Sequence, residues 1–525
     1  MRKTSGKICI LLLTIQLVFS GFALAGDDEN PAEVNATLEL AGENRMELEK
    51  VIEHYSEQDD TLKLEAAFFL IANMEDHCFA IYSLQDSSGV EIELDVLDYP
   101  NFDSLLTHFR GVEEEVGELD FKKKEKIQDV ETITAAFLIK QIDLAFHAWR
   151  EKPWAHYLSF EQFCNYILPY RGSNEPLEPW RAFFLEQHKT ISEQMNDASD
   201  PIEAASLINN DIRSWFRFDA RYYMHPTDQG LSEMMDTKLG RCEDMTNLTI
   251  YALRANGLAV TSDYTPYWAN TGNNHAWNSI VIPGGKVIPF MGAEANPREY
   301  RLGHKFGKIY RKMYAKQKGN LVFQDRKQED VPRWLKGKNY IDVTKEYADV
   351  HDVPISFQSE TPDSVDIAYI CVFNSGEWKP IHWGRIKQNA ATFTDMNPGV
   401  LYLPALYLNK EIVPYGPPFI LCDDGSKRVL RPQSEEKISA EIASTTMRVL
   451  AVSTDGIAEK SLTEGTEYEL FYWDEDWQSL GKTTAGEEAL SFDEVPAGAL
   501  YWLIETDSDE EERPFTIEDG KKVLW

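Results

Sequence analysis

Leu239-Gly240-Arg241-Cys242-Glu243-Asp244-Met245-Thr246-Asn247-Leu248, followed downstream by Asn273-Asn274-His275-Ala276-Trp277-Asn278-Ser279-Ile280, sets a cysteine at the start of one element and a histidine at the start of another. Gly240 allows a sharp turn into a helix beginning near Cys242. Asn256-Gly257 stops that helix just after Ala255. The Asn-Asn turn and the alternation after it predict a strand that begins at His275. Backbone N–H groups at a helix start stabilise a thiolate and lower its pKa, which suits Cys242 as a nucleophile. A nearby imidazole can take the thiol proton and later protonate the leaving amine, as acyl transfer through a thioester requires. His275 is the candidate for that role.

Outward from this stretch, the pattern changes along the chain. Between residues 44 and 195 apolar residues recur at helical spacing, as in Leu48, Val51, Ile52 and Tyr55, and again in Leu138, Ile142, Phe146 and Trp149. Residues 26–198 therefore read as a mostly helical N-terminal region. Residues 199–340 read as a compact α+β core with a basic connector over 298–338, whose polar neighbours predict a solvated wrap. Beyond Asp342 come short strands and turns, such as Ile367-Ala368-Tyr369-Ile370-Cys371-Val372-Phe373 before Asn374-Ser375-Gly376. These predict a β-sandwich module over 341–431 and a second β-rich module over 432–525. The expected class is α+β. The 525 residues exceed what one core usually serves, since domains run about 100 to 200 residues.

Residues 1–25 carry Arg2, Lys3 and Lys7, an apolar run, and Ala23-Leu24-Ala25 before polar Gly26-Asp27-Asp28-Glu29. This is a signal-peptide pattern with cleavage after Ala25, favoured over a retained anchor, and it predicts an exported, periplasmic or extracellular protein without a membrane span. The formal charge is −35, which would repel nucleic acid phosphates. Nucleic acid is excluded as a partner on that ground. Without Cys9, five cysteines remain; five is odd, so at least one thiol lacks an intramolecular partner. No cofactor or metal is expected: no CxxC or HExxH occurs, and no second histidine stands near Cys242 in the sequence.

Gly240-x-Cys242, the Arg254-Ala255-x-Gly257 helix ending and strand-borne His275-Ala276-Trp277 together resemble the transglutaminase-like superfamily, over roughly residues 209–297. The flanking Phe163-Cys164-Asn165-Tyr166-Ile167-Leu168-Pro169-Tyr170-Arg171 and the C-terminal β modules resemble secreted transglutaminase-domain proteins of Bacteroidota. The resemblance implies a transglutaminase-like (papain-like) core and a thiol enzyme acting on a peptide or side-chain amide, by hydrolysis or transfer to an amine. It also implies an aspartate from the strand after the histidine, but that strand reads Lys286-Val287-Ile288-Pro289-Phe290-Met291.

A two-residue Gly284-Gly285 hairpin would pair His275 with Glu294, so Glu294 is the candidate third catalytic residue, with Asn278 or backbone as alternatives. The resemblance makes the Cys242 N–H an oxyanion donor, with Gln229 as a candidate second. Glu243 and Asp244 are expected to serve the helix dipole. His147-Ala148-Trp149 repeats the histidine motif inside a helical pattern and is expected to be inert. Tyr267 and Trp268 are candidates for a substrate groove. Trp378, Trp383, Trp473 and Trp477 either stack on glycan or fill small cores. The alternative function is a degenerate core acting as a glycan- or protein-binding module, favoured by the missing aspartate.

Overall fold

The computed structural model describes residues 30–447, 458–486, 489–506, 508 and 512–525, so the leader pattern over 1–25 lies outside the described residues. The class is α+β. At its centre the helix Cys242–Ala255 lies on an antiparallel sheet in the order Tyr340–Asp342, Tyr310–Lys312, Val260–Thr265, His275–Val281, Val287–Phe290. The helix ends as its sequence predicts. Gly257 takes φ +73°, and the N–H groups of Gly257 and Leu258 return to the carbonyls of Arg254 and Leu253. A Cβ on Gly257 would stand 2.7 Å from the Ala148 carbonyl oxygen, so this position requires glycine for space as well.

The basic stretch over 298–338 is not merely a solvated wrap. It supplies the strand Tyr310–Lys312, and Lys308 is fully buried with its ammonium on Asp342 and on the carbonyls of Thr394 and Asp395. Charge composition misled here because each buried cation carries its own set of acceptors.

The N-terminal region contains the helices Ala32–Leu40, Arg45–Ser56, Thr61–Ala72, Phe102–Val116 and Ala135–Glu151, and it also holds a three-stranded antiparallel sheet. Cys78–Gln85 is the middle strand, flanked by Glu91–Ile92 and Asp120–Gln128. The last of these reads Asp-Phe-Lys-Lys-Lys-Glu-Lys-Ile-Gln and is largely exposed, so it carries little apolar alternation to betray it. Val281 and Tyr314 join one hydrophobic cluster with Leu48, Tyr55, Leu138 and Phe163, so the helical region and the core bury a common interior. Two buried arginines lock the junction. Arg181 donates to the carbonyls of Ile167, Leu168, Pro169 and Arg254, and Arg254 to those of Tyr166, Val260, Pro169 and Arg171. The irregular run 166–171 would otherwise bury unsatisfied carbonyls. His147 points outward from the helix Ala135–Glu151, while Phe146 and Ala148 beside it are buried.

In the first β module, the paired strands His351–Ser356 and Ala390–Met396 lie over a sheet containing Glu377–Arg385, Ile367–Asn374 and Leu401–Leu408, with Val353, Phe393, Ile370 and Tyr402 in the shared core. The second module centres on Asp476–Thr484, Glu467–Asp474, Tyr501–Glu505, Phe515–Glu518 and Lys521–Leu524. Leu401, Leu403 and Ile420 of the first pack against Trp473 and Leu500 of the second. Both modules also grip the core. Asn374 Nδ2 donates to the carbonyls of Trp268, Thr271 and Asn273, and Arg513 donates to those of Ala269 and Phe373. No helix among the described residues is long and apolar enough to cross a membrane.

Candidate active site

Cys242 is the first residue of its helix and only 3% exposed. Its Sγ donates to Glu243 Oε2 at 3.0 Å, and the backbone N–H of Ala276 acts on the sulfur in the sense that favours the thiolate. Ala276 follows His275, so the helix start and the strand start meet here. Burial above all, then the charge and hydrogen bond of Glu243, hold the thiol well above its ordinary pKa. A helix start alone predicts a lowered value; desolvation and an adjacent carboxylate outweigh it.

His275 opens the strand His275–Val281. Its Nε2 shares a hydrogen bond with the Tyr300 hydroxyl at 2.9 Å, and its ring lies 5.8 Å from that of Trp268 at an interplanar angle of 27°. Burial pushes the imidazole down to about 4, with Glu243 opposing and His304 reinforcing the shift. At neutral pH the pair is thus a neutral thiol and a neutral imidazole, both within the field of Glu243. His304, 5.4 Å from the other partner ring Trp268, is the second histidine near the site, brought there by the chain fold.

The hairpin after His275 differs from the two-residue expectation. Ile282 N–H donates to Lys286 at 2.9 Å and Gly285 N–H to Ile282 at 3.0 Å, leaving residues 283–285 as a three-residue loop. Every pair shifts by one, so Asn278 faces Phe290. The ladder between the two strands ends there, and Glu294 falls in an exposed turn closed by Met291 and Ala295 rather than opposite His275. Tyr300 occupies the position beside the imidazole. The Glu294 charge still reaches Tyr300, whose hydroxyl pKa is raised first by burial and then by Glu294 and Cys242. Sequence reading missed Tyr300 because it lies in the stretch read as a solvated connector; its one signal was an aromatic among basic residues.

Behind these groups stands a rigid frame. Asp244 accepts from the Arg241 N–H at 2.9 Å, from the Gln229 N–H at 2.9 Å and from Gln229 Nε2 at 3.1 Å. Gln229 Nε2 also donates to the Leu239 carbonyl at 2.9 Å. Both of its amide hydrogens are thereby engaged, so Gln229 holds the turn before the nucleophile instead of facing a substrate. A Cβ on Gly240 would come within 2.6 Å of Asp244 Cβ and 2.9 Å of Phe216 Cζ, which explains the glycine. Asn278 is fully buried and clamps helix to strand, donating to the Thr246 carbonyl at 3.0 Å and accepting from Gly292 N–H at 3.1 Å. Neither of these bonds reaches His275.

Glu243 is the group that sets the state of the thiol. Glu243→Gln is expected to raise the alkylation rate of Cys242 by iodoacetamide at pH 7.5 about tenfold, because the charge that disfavours the thiolate is gone. Peptide-resolved mass spectrometry reads this rate apart from the other four free cysteines among the described residues. A slower rate would show instead that the Glu243 carboxylate itself receives the thiol proton.

The comparisons with known proteins bear on this region in particular. A crystal structure of red sea bream transglutaminase aligns with 86% of this chain and 77% of its own at 9% identity, with a TM-score of 0.19. A score so low carries no argument about the fold. No curated protein matches the chain. The family profile does: residues 189–291, which hold Cys242, His275 and the helix and strand that present them, match the transglutaminase-like superfamily.

Proposed function

We propose that this chain is an exported thiol acyl-transfer enzyme of the transglutaminase-like class, of the type found in secreted proteins of Bacteroidota, that attacks a peptide or side-chain amide. The observation that carries the reading is the meeting of Cys242 at a helix start with the strand start of His275 and Ala276 in a region matching that superfamily. His275 takes the proton from Sγ as the sulfur adds to the amide carbonyl. The Cys242 N–H, which has no acceptor within its own helix, receives the developing oxyanion. The imidazolium then protonates the departing amine, leaving a thioester that water or an incoming amine opens while His275 accepts and returns a proton. Water is always present, so hydrolysis is the favoured outcome.

In this reading Tyr300 orients the imidazole through Nε2, and Glu294 acts from one step further out through its charge on Tyr300. Among the described residues His275 Nε2 is hydrogen-bonded to Tyr300 and not to a carboxylate, which favours a second reading, a degenerate core used for binding. Labelling separates the two. With a thiol-directed electrophile at pH 8, wild-type Cys242 is expected to react faster than in His275→Ala by about tenfold or more, because the imidazole assists loss of the thiol proton. Equal rates in the two proteins would remove the enzyme reading and leave the binding module. Release of ammonia or amine from amide substrates, with and without added primary amine, then distinguishes hydrolysis from transfer.

A further inference from the structure

Away from Cys242, a cleft of about 650 Å³ opens where the core and both β modules meet. Three hairpin tips converge on it. Gly376 sits between the strands Ile367–Asn374 and Glu377–Arg385, Lys410 between Leu401–Leu408 and Glu411–Pro414, and Glu475 between Glu467–Asp474 and Asp476–Thr484. All three have positive φ, the backbone state that tight turns need and that concentrates at functional sites.

Tryptophans form its walls. Trp378 and Trp473 lie 5.6 Å apart, and Trp473 and Trp477 5.0 Å apart, both pairs edge to face. Trp334 is anchored, since its indole N–H donates to the Pro380 carbonyl at 2.6 Å. Among the described residues the indole N–H groups of Trp378 and Trp473 are buried without a hydrogen-bond partner, and Trp473 is only 3% exposed. Trp383, by contrast, packs with Leu335, Ile367 and Tyr369 and serves a small core.

We propose that this cleft is a saccharide-binding site. A sugar ring has a C–H face that packs on an indole and a rim of hydroxyls that both donate and accept, a combination that the Trp477 and Trp378 rings and the polar rim of the cleft can meet. The charged rim agrees. Lys379 and Lys410 stand with Glu377, Glu411, Glu475 and Asp476 around one opening, and Lys379 already pairs with Glu377 at 2.5 Å. A neutral polyol can use both signs, whereas an ionic ligand meets like charge on one side. The site also adjoins the candidate active centre, because Tyr267 lines the cleft while the next residue, Trp268, stacks on His275. The binding itself does not depend on the thiol chemistry.

The test titrates the full mature chain with chitotetraose, cellotetraose and mannotetraose, and with a decaproline peptide as the competing class, by calorimetry and by tryptophan fluorescence. At least one oligosaccharide is expected to bind and change the indole emission. Trp477→Ala is expected to weaken it by about tenfold or more and Asp476→Ala, at an exposed turn, by about threefold. If Trp477→Ala fails to fold, the Asp476→Ala and Glu475→Ala titrations decide. No binding of any of the three sugars at millimolar concentration, sugar binding untouched by these variants, or binding of decaproline alone overturns the proposal.

Discussion

Cys242→Ala should lower turnover of an amide substrate by on the order of 10⁴-fold or more while leaving the fold in place. Both parts follow from the position. Alanine is the best helix former, and the N-terminal turn is held by Asp244 on the Arg241 and Gln229 N–H groups, none of which involves the sulfur. The reaction has no other nucleophile to fall back on, because Sγ is the atom that would carry the acyl group. Rates of ammonia or amine release at saturating substrate, compared at matched circular dichroism, measure the effect. Residual turnover within tenfold of wild type would show that Cys242 does not carry the acyl group.

The pH dependence of the wild type should match. With the thiol held high by burial and Glu243, and the imidazole pushed down to about 4, the neutral pair prevails across the neutral range. Labelling of Cys242 should therefore climb through the alkaline range with no plateau near pH 7, unlike a preformed thiolate–imidazolium pair.

The second large effect concerns Asp263, which no motif marked. Its carboxylate is fully buried and receives Arg311 Nε and Nη2, each at 2.8 Å, Ser279 Oγ at 2.8 Å and the Tyr347 hydroxyl at 2.6 Å. The Tyr347 hydroxyl in turn accepts from Trp277 Nε1 at 2.9 Å. Asp263 therefore ties the strand of His275 to the strands on its other side. Asp263→Ala leaves the Arg311 guanidinium buried with Glu346 as its remaining carboxylate.

Removing one partner of a buried pair costs about 3–5 kcal/mol, much of it the uncompensated charge left behind. The double change Asp263→Ala with Arg311→Met removes both charges and is expected to recover much of that loss. Denaturant melts of the single and double variants check this. A single variant as stable as wild type would mean that Arg311 finds other acceptors.

Local features made part of this architecture readable. A glycine before Cys242 and Asn256-Gly257 after Ala255 mark the ends of the central helix, and alternation after Asn274 marks the strand of His275; both elements occur at those places. These are local decisions, set by backbone freedom at glycine, by helix-end chemistry and by side-chain periodicity, so nearby residues suffice to reveal them. The exposed strand Asp120–Gln128 escaped the same reasoning because it has almost no buried face to leave a pattern.

What surrounds the pair was decided only by tertiary structure. One residue in the length of the loop after Val281 moves Glu294 away from His275, because strand side chains alternate and a shift of one changes every facing pair. Tyr300 reaches the imidazole from a stretch whose composition suggested solvent, and Glu243 meets the sulfur through a side-chain turn that spacing does not specify. Asp263 and Arg311 find each other across 48 residues. Composition and spacing thus placed Cys242 and His275 on their elements, but the charge state of each depends on burial and on neighbours distant in the chain, and those exist only once the chain has folded.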